Sequence, residues 1–242
     1  MIKKNLVIIG CGGTAEMITD IFETNSDYQI IAYSAEKKYA PKSFNGKVVL
    51  HFENIEHELA QDKCDFFVAI GETSLNQLRY RFYIEAIKKG YKPAKFIHPK
   101  ASISKTSIIG EHCFISENVV IHAHCIIGNN VIVLPNSYLG HHTFISDHVF
   151  ICAGVNISGF CSIGEFSFLG AGSSISNCIS IGRRCVVGLG SACLLDLPDN
   201  SVITRNHDII RHNSELIFDN WHNKVSGKAK KILKKADNAH DK

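Results

Sequence analysis

The chain has 242 residues and a mass of 26.8 kDa, enough for one large or two modest domains with a filled core. Its net charge is +3 and its only lysine-dense stretch is the tail from Lys224 to Lys235, which argues against the clustered basic face of a nucleic-acid binder. No apolar run approaches the roughly 18 residues of a membrane span and nothing reads as a secretory leader, so a cytoplasmic protein without stable membrane insertion is expected.

The segment from Lys4 to Gly13 is an apolar, β-branched run ending in glycines, followed by apolar residues at helical spacing: a strand, a tight turn and a helix. The helix N-terminus aims free N–H groups and partial positive charge at whatever lies over the turn, which suits a phosphate or another polar group of a nucleotide. Further strands are expected at Gln29 to Tyr33, Lys47 to Leu50 and Asp65 to Ile70, and a helix at Leu75 to Lys89 stopped by Gly90. This alternation predicts a small open parallel sheet over residues 1–97, with a ligand crevice beyond the carboxyl ends of its strands. Gly10, Gly12 and Gly13 lack the third glycine of a dinucleotide fingerprint, and Ser34 stands where such a domain carries an acid, so a full NAD site is not expected. His98-Pro99 reads as a linker turn.

Residues 98–205 carry a different period. From Ile103 to Val187 every sixth residue is aliphatic without a break, and the residue two before it is small or short, as at Ala101, Cys113, Cys125, Cys161 and Cys185. Neither a helix nor a lone strand repeats at six. Three short strands per turn do, stacking each residue on the one eighteen places away in a hexapeptide-repeat β-helix. Glycine, asparagine or histidine often stands third after the aliphatic, where a corner needs positive φ. Most of the nine cysteines fall on inward columns and read as packed thiols of a reduced protein.

His112, His124, His142 and His148 occupy that corner position and read as solvated turn residues. The stacking rule puts His124 beneath His142 and His112 two coils beneath His148. No Asp, Glu or Cys completes a tetrahedral set, so no metal is expected. His141 differs, because it lies at mid-stack between Ala123 below and Gly159 above. Small neighbours leave its imidazole open, and a group with an ordinary pKa of about 6.5 can accept a proton at neutral pH. Residues 206–242 leave the repeat and read as a basic helix or tail, with a membrane surface or an acidic partner as a possible contact.

The glycine-rich strand-turn-helix, Val68-Ala69-Ile70-Gly71, the junction from Phe96 to Ser104 and the repeats with a mid-stack histidine together resemble the bacterial aminosugar N-acetyltransferases and sialic acid O-acetyltransferases. The resemblance spans about residues 4 to 205. It implies a Rossmann-like N-terminal domain, a left-handed parallel β-helix, and a homotrimer with active sites between subunits. It also implies acetyl-CoA as cosubstrate and a nucleotide-linked amino sugar as acceptor. His141 matches the general base; Gly12, Gly13, Thr14 and Gly71 match the sugar-nucleotide pocket; Gly159, Ala171 and Leu189 match cofactor contacts. Three departures from the family pattern stand out. His142 replaces the acid that orients the base, Ser34-Ala35 stand where an acidic pair often follows the second strand, and Phe150 replaces a histidine that touches acetyl-CoA. The expected reaction is direct N-acetyl transfer. Sugar O-acetylation, or a non-catalytic solenoid that binds a sugar nucleotide, are the alternatives.

Overall fold

The computed structural model describes residues 3–204, so the expected extension at 206–242 lies outside the described residues. The N-terminal domain runs β1 (Lys4–Ile9), α1 (Gly13–Asn25), β2 (Tyr28–Ala35), β3 (Ser43–Phe44), β4 (Lys47–His51), α2 (Ile55–Glu58), β5 (Asp65–Val68), α3 (Gln77–Lys88) and β6 (Lys92–Pro93). They form a sheet in the order β3-β4-β2-β1-β5-β6, parallel except for the short β3–β4 hairpin. The chain therefore leaves β1 toward one side and returns on the other, which places a switch point beyond the ends of β1 and β5. Along β1 the side chains alternate. Leu6 and Ile8 enter the core under α1, whereas Val7 and Ile9 enter the core under α3.

From Phe96 onward the chain winds a prism of two-residue strands in three parallel sheets. Its first face stacks Phe96–Ile97, Phe114–Ile115, Ile132–Val133, Phe150–Ile151, Phe168–Leu169, Val186–Val187 and Val202–Ile203. The second face begins at Ser102–Ile103 and contains Tyr138–Leu139, and the third begins at Ile108–Ile109 and contains Phe144–Ile145. Partners are eighteen residues apart, as in Tyr138 on Asn156 and Leu139 on Ile157, until the last coil, where Val186 pairs with Val202 and Val187 with Ile203. The aliphatic and small columns meet inside as one core that includes Cys113, Cys125, Cys161, Cys185 and Cys193. Burial explains why the thiols sit there. It raises Cys161 to about 12 and Cys113 to about 11, so neither forms a thiolate at neutral pH.

The third residue after the aliphatic has positive φ at each corner from His112 (54°) to Gly190 (62°), including His142 (58°) and Phe160 (58°). Three boundaries differ from the sequence-based expectation. Phe96–Ile97 already pairs with Phe114–Ile115, so the prism starts at Phe96 rather than after 97. β2 continues through Ala35, two residues past the expected end. The helix expected from Leu75 begins at Gln77, because Ser74, Leu75 and Asn76 all lie in the left-handed region (φ 54°, 50° and 65°). The Asn76 amide is buried and donates to the carbonyls of Phe166 and Ser167 on the prism, which holds that turn.

The two domains share one core. Phe22 of α1 packs on Phe67, Phe96 and Phe114 at centroid distances of 5.3, 4.8 and 6.1 Å, and Ile132 and Phe150 continue the cluster. Burying each such ring is worth roughly 1.5–3 kcal/mol. A second seam is polar. Arg79 of α3 is fully buried without a carboxylate partner among the described residues, and donates to Asn130 Oδ1 (3.1 Å), Asn76 Oδ1 (3.3 Å) and the carbonyls of Asn130, His148 and Val149. Burial lowers its pKa to about 9, which still leaves it charged at neutral pH.

The expectation of four solvated corner histidines fails for two of them. His112 is completely buried, stacks on Phe67 at 4.5 Å and accepts the Val68 N–H on Nε2 at 3.0 Å. His148 is 8% exposed and lies against Tyr80 and Phe166. Asn130 sits between the two, with its amide within 3.0 Å of the His112 ring and 3.2 Å of the His148 ring. That corner carries the N-terminal domain, which a repeat count alone does not reveal.

Candidate functional site

His141 lies on the edge between the second and third faces, in the loop after Tyr138–Leu139. The chain can turn there because Gly140 has no Cβ; a methyl would stand 2.6 Å from the backbone of Ser158 and Gly159 in the next coil. The exposed ring lies over Gly159. A Cβ built on Gly159 would meet its Cε1 and Nε2 at 2.9 Å, so Gly159 forms the floor under the imidazole. Phe160 stands edge-on to the ring at 4.9 Å. His141 Nδ1 faces His142 Nδ1 at 3.1 Å. His142 is stacked between Phe160 (4.8 Å, 15°) and His124 (4.8 Å, 33°). Partial burial, then the charges of His124 and His141, hold His142 below its ordinary pKa, so it is neutral at neutral pH.

The carboxyl edge of the N-terminal sheet holds a second constellation. Gly12 caps α1 and is exposed with Gly13, and neither has an atom within 4 Å of where a Cβ would sit. Thr14 Oγ1 lies 3.4 Å from the Cβ position of Gly71, so the first turn of α1 and the loop after β5 meet. Gly10, at φ 128°, passes so close to the Ala69 carbonyl that a Cβ would approach it to 2.7 Å. Beside these residues a cavity of about 380 Å³ is lined by Gly10, Cys11, Ser34, Ala35, Glu36 and Arg81, among others. Ser34 is completely buried and its hydroxyl has no hydrogen-bond partner among the described residues.

Sequence reasoning missed Glu36 and Arg81. Because β2 reaches Ala35, the first residue beyond the sheet is Glu36, an acid one place after the pair where one was sought. Arg81 donates to Glu36 Oε1 at 2.9 Å, and this hydrogen bond keeps the carboxyl below its usual range. The signal was present in the adjacent residue and was lost to the misplaced strand end.

The predicted cofactor residues fall in three places. Ala171 and Leu189 lie on the edge between the first and second faces. There the upper coils read Cys152-Ala153-Gly154, Gly170-Ala171-Gly172 and Gly188-Leu189-Gly190, nearly stripped of side chains. Gly172 and Gly190 have open space where a Cβ would be, and Leu189 is 73% exposed. Gly159 is instead under His141. Phe150 is a correction: its ring is 5% exposed and taken up by Phe168, the Arg79 guanidinium and the shared core, so it is a packing residue of the domain seam. Within one chain, His141 and the stripped edge thus lie at different corners of the prism. Among the described residues, no group of three or more His, Cys, Asp or Glu could hold a metal ion, and no helix is long and apolar enough to cross a membrane.

Residues 5–86 match the family model of the PglD N-terminal domain and residues 91–194 that of the GMPPB C-terminal domain. The acetyltransferase domain of PglB from Neisseria gonorrhoeae FA1090 is 26% identical, with a TM-score of 0.76 over 85% of this chain and 98% of that one. It has also been solved in complex with acetyl coenzyme A. PerB from Caulobacter crescentus, solved with CoA and GDP-perosamine, is 26% identical with a TM-score of 0.73, covering 86% of this chain and 97% of that one. WeeI from Acinetobacter baumannii AYE, at 20% identity, shares the fold with a TM-score of 0.75 over 86% of this chain and 100% of that one.

Proposed function

We infer, from the premise that this chain is an acetyl-CoA-dependent acyltransferase of the left-handed β-helix, hexapeptide-repeat kind, that it N-acetylates the amino group of a nucleotide-linked sugar. The observation that carries this reading is the His141 imidazole, exposed over a glycine floor at mid-stack. On this reading its Nε2 takes the proton that an amine sheds as it attacks a thioester carbonyl. The tetrahedral oxyanion then collapses with loss of the CoA thiolate, and no covalent enzyme intermediate is needed. The thiols support that economy, since burial raises Cys152 and Cys11 to about 11 and neither supplies a ready nucleophile.

The edge from Ala153 to Gly190 fits acetyl-CoA, because a long, thin pantetheine arm needs a groove without projecting side chains. The cavity at Ser34, Glu36 and Arg81, beside the N–H groups of the α1 N-terminus, fits a nucleotide. An amine acceptor suits a base whose ring partner is a neutral histidine. A hydroxyl is a weaker nucleophile that must lose its proton as it attacks, and so would call for a stronger base. The PerB complex, which contains a nucleotide-linked sugar with CoA, supports the same acceptor class.

Since His141 and the stripped edge occupy different corners, the reading requires a neighbouring copy to bring His141 to another subunit's stripped edge, as in a cyclic trimer. An apolar strip of Ile108, Ile126 and Phe144 on the third face, 63%, 46% and 46% exposed, adjoins the His141 edge and supports a subunit seam there. A cytoplasmic location is in keeping with the free cysteines and the proposed cosubstrate. The test is CoA release, measured across a panel of nucleotide-linked amino sugars and their hydroxyl counterparts. Turnover with amine acceptors and an amide product is expected, whereas turnover confined to hydroxyl acceptors would overturn the reading.

A further inference from the structure

A general base at Nε2 needs that nitrogen bare, yet a free neutral histidine side chain prefers to carry its proton there. Something must therefore hold the proton on Nδ1. In the reactions where this task is best understood a carboxylate does it, and removing that acceptor leaves the ring in the wrong tautomer. No carboxylate contacts His141 among the described residues. The polar atom that faces its Nδ1 is Nδ1 of His142, at 3.1 Å.

Two ring nitrogens at that distance admit a single proton between them. Two bare lone pairs repel, and two N–H groups clash. Either His141 donates to His142, leaving Nε2 of His141 bare, or the reverse holds and His141 cannot act as a base. The neutrality of His142 permits the first arrangement. Its ring cannot swing away, because Phe160 and His124 sandwich it. Backbone geometry fixes the side chain's origin as well, since His142 N–H donates to the Ala123 carbonyl at 2.9 Å and its φ is 58°.

We propose that His142 is a positioning residue: a neutral imidazole, clamped between His124 and Phe160, that accepts the Nδ1 proton of His141 and so fixes the tautomer in which Nε2 of His141 is the base. The proposal rests on His141 as the base. It makes the site a two-imidazole relay with no anion, in which the imidazolium formed during transfer is stabilised by a neutral neighbour.

Two substitutions separate this from a packing role. His142→Gly removes the ring without backbone strain, because glycine already occupies the matching corner position at Gly154, Gly172 and Gly190. His142→Asn keeps an acceptor, since its Oδ1 takes the place of Nδ1, and asparagine fills the same left-handed corner at Asn118, Asn130 and Asn136. The readouts are steady-state kinetics and ¹⁵N NMR of the histidine rings at pH 8. For His142→Gly, kcat is expected to fall about ten- to hundredfold with both KM values unchanged, as the His141 signal moves from the Nδ1–H to the Nε2–H tautomer. His142→Asn is expected to restore the Nδ1–H tautomer and at least about a third of the wild-type kcat. The proposal is overturned if His142→Gly turns over within twofold of wild type, if its kcat falls while the His141 tautomer stays unchanged, or if His142→Asn is as impaired as His142→Gly. Failure of the base reading itself would appear elsewhere, as full turnover in His141→Ala.

Discussion

Gly159→Ala is expected to displace the base without removing it. The new methyl would stand 2.9 Å from Cε1 and Nε2 of His141, where ordinary contact begins near 3.4 Å. The ring must lift by roughly 0.5 Å, the gap between those two distances. It has little slack, because tilting stretches the 3.1 Å contact between His141 and His142 toward the outer limit of an N–H hydrogen bond. A misplacement of about 1 Å can cost about 10² in rate, so this half-ångström shift is expected to lower kcat by about tenfold. Stability should hardly change, since Gly159 lies outside the left-handed region and the obstructing atoms belong to one exposed side chain. The assay is CoA release at saturating substrates, with thermal unfolding of both proteins as the control. If kcat stays within twofold of wild type, the ring does not react from the place described. If KM for acetyl-CoA alone rises, Gly159 is a cofactor contact and not the floor of the base.

His141→Ala is expected to lower turnover by roughly 10²- to 10⁴-fold with the unfolding midpoint unchanged, read by the same assay and a melt. Arg79→Met leaves Asn76, Asn130 and two or more buried carbonyls without their donor, and urea titration should show a loss of about 3 kcal/mol or more. Burial pushes His112 down to about 3 and His148 to about 4. Both folded-state values lie below the unfolded one, so the unfolded chain binds more protons between them. Stability is then complete above about pH 6.5 and falls as the pH drops toward 4. His112→Asn, which cannot titrate, should flatten that limb in urea midpoints measured from pH 4 to 8. Mixing His141→Ala with an Ala171→Trp variant that blocks the stripped edge should restore activity in mixed oligomers, because some seams then carry both intact partners. Two inactive parents that stay inactive after co-refolding would contradict a site shared between copies.

The prism was legible in the sequence because it obeys one arithmetic: a residue's environment repeats every eighteen positions, so the inward columns and the left-handed corners could be named before the fold was known. The same arithmetic misassigned His112 and His148, because a solenoid corner is solvated only until another domain covers it. Arg79, Asn76 and Asn130 form that cover's polar seam, and no local pattern in α3 distinguishes a buried arginine from a surface one. Glu36 was missed by the length of a strand end, where pairing with β4 through Ala35 and His51 overrides the fading apolar pattern. His141 was found from its small neighbours. Its contact with His142 could not be, since which ring nitrogen faces which depends on the corner's exact turn.

The mixed aromatic and polar seam between the halves also bears on how such a protein can change. With Phe22 locked among Phe67, Phe96 and Phe114, and Arg79 threaded into the opposite wall, the N-terminal half cannot be exchanged for another without tearing open a hydrophobic face. Change is then channelled into the rim, the loops around Glu36 and Gly71, while the joint beneath them stays as it is.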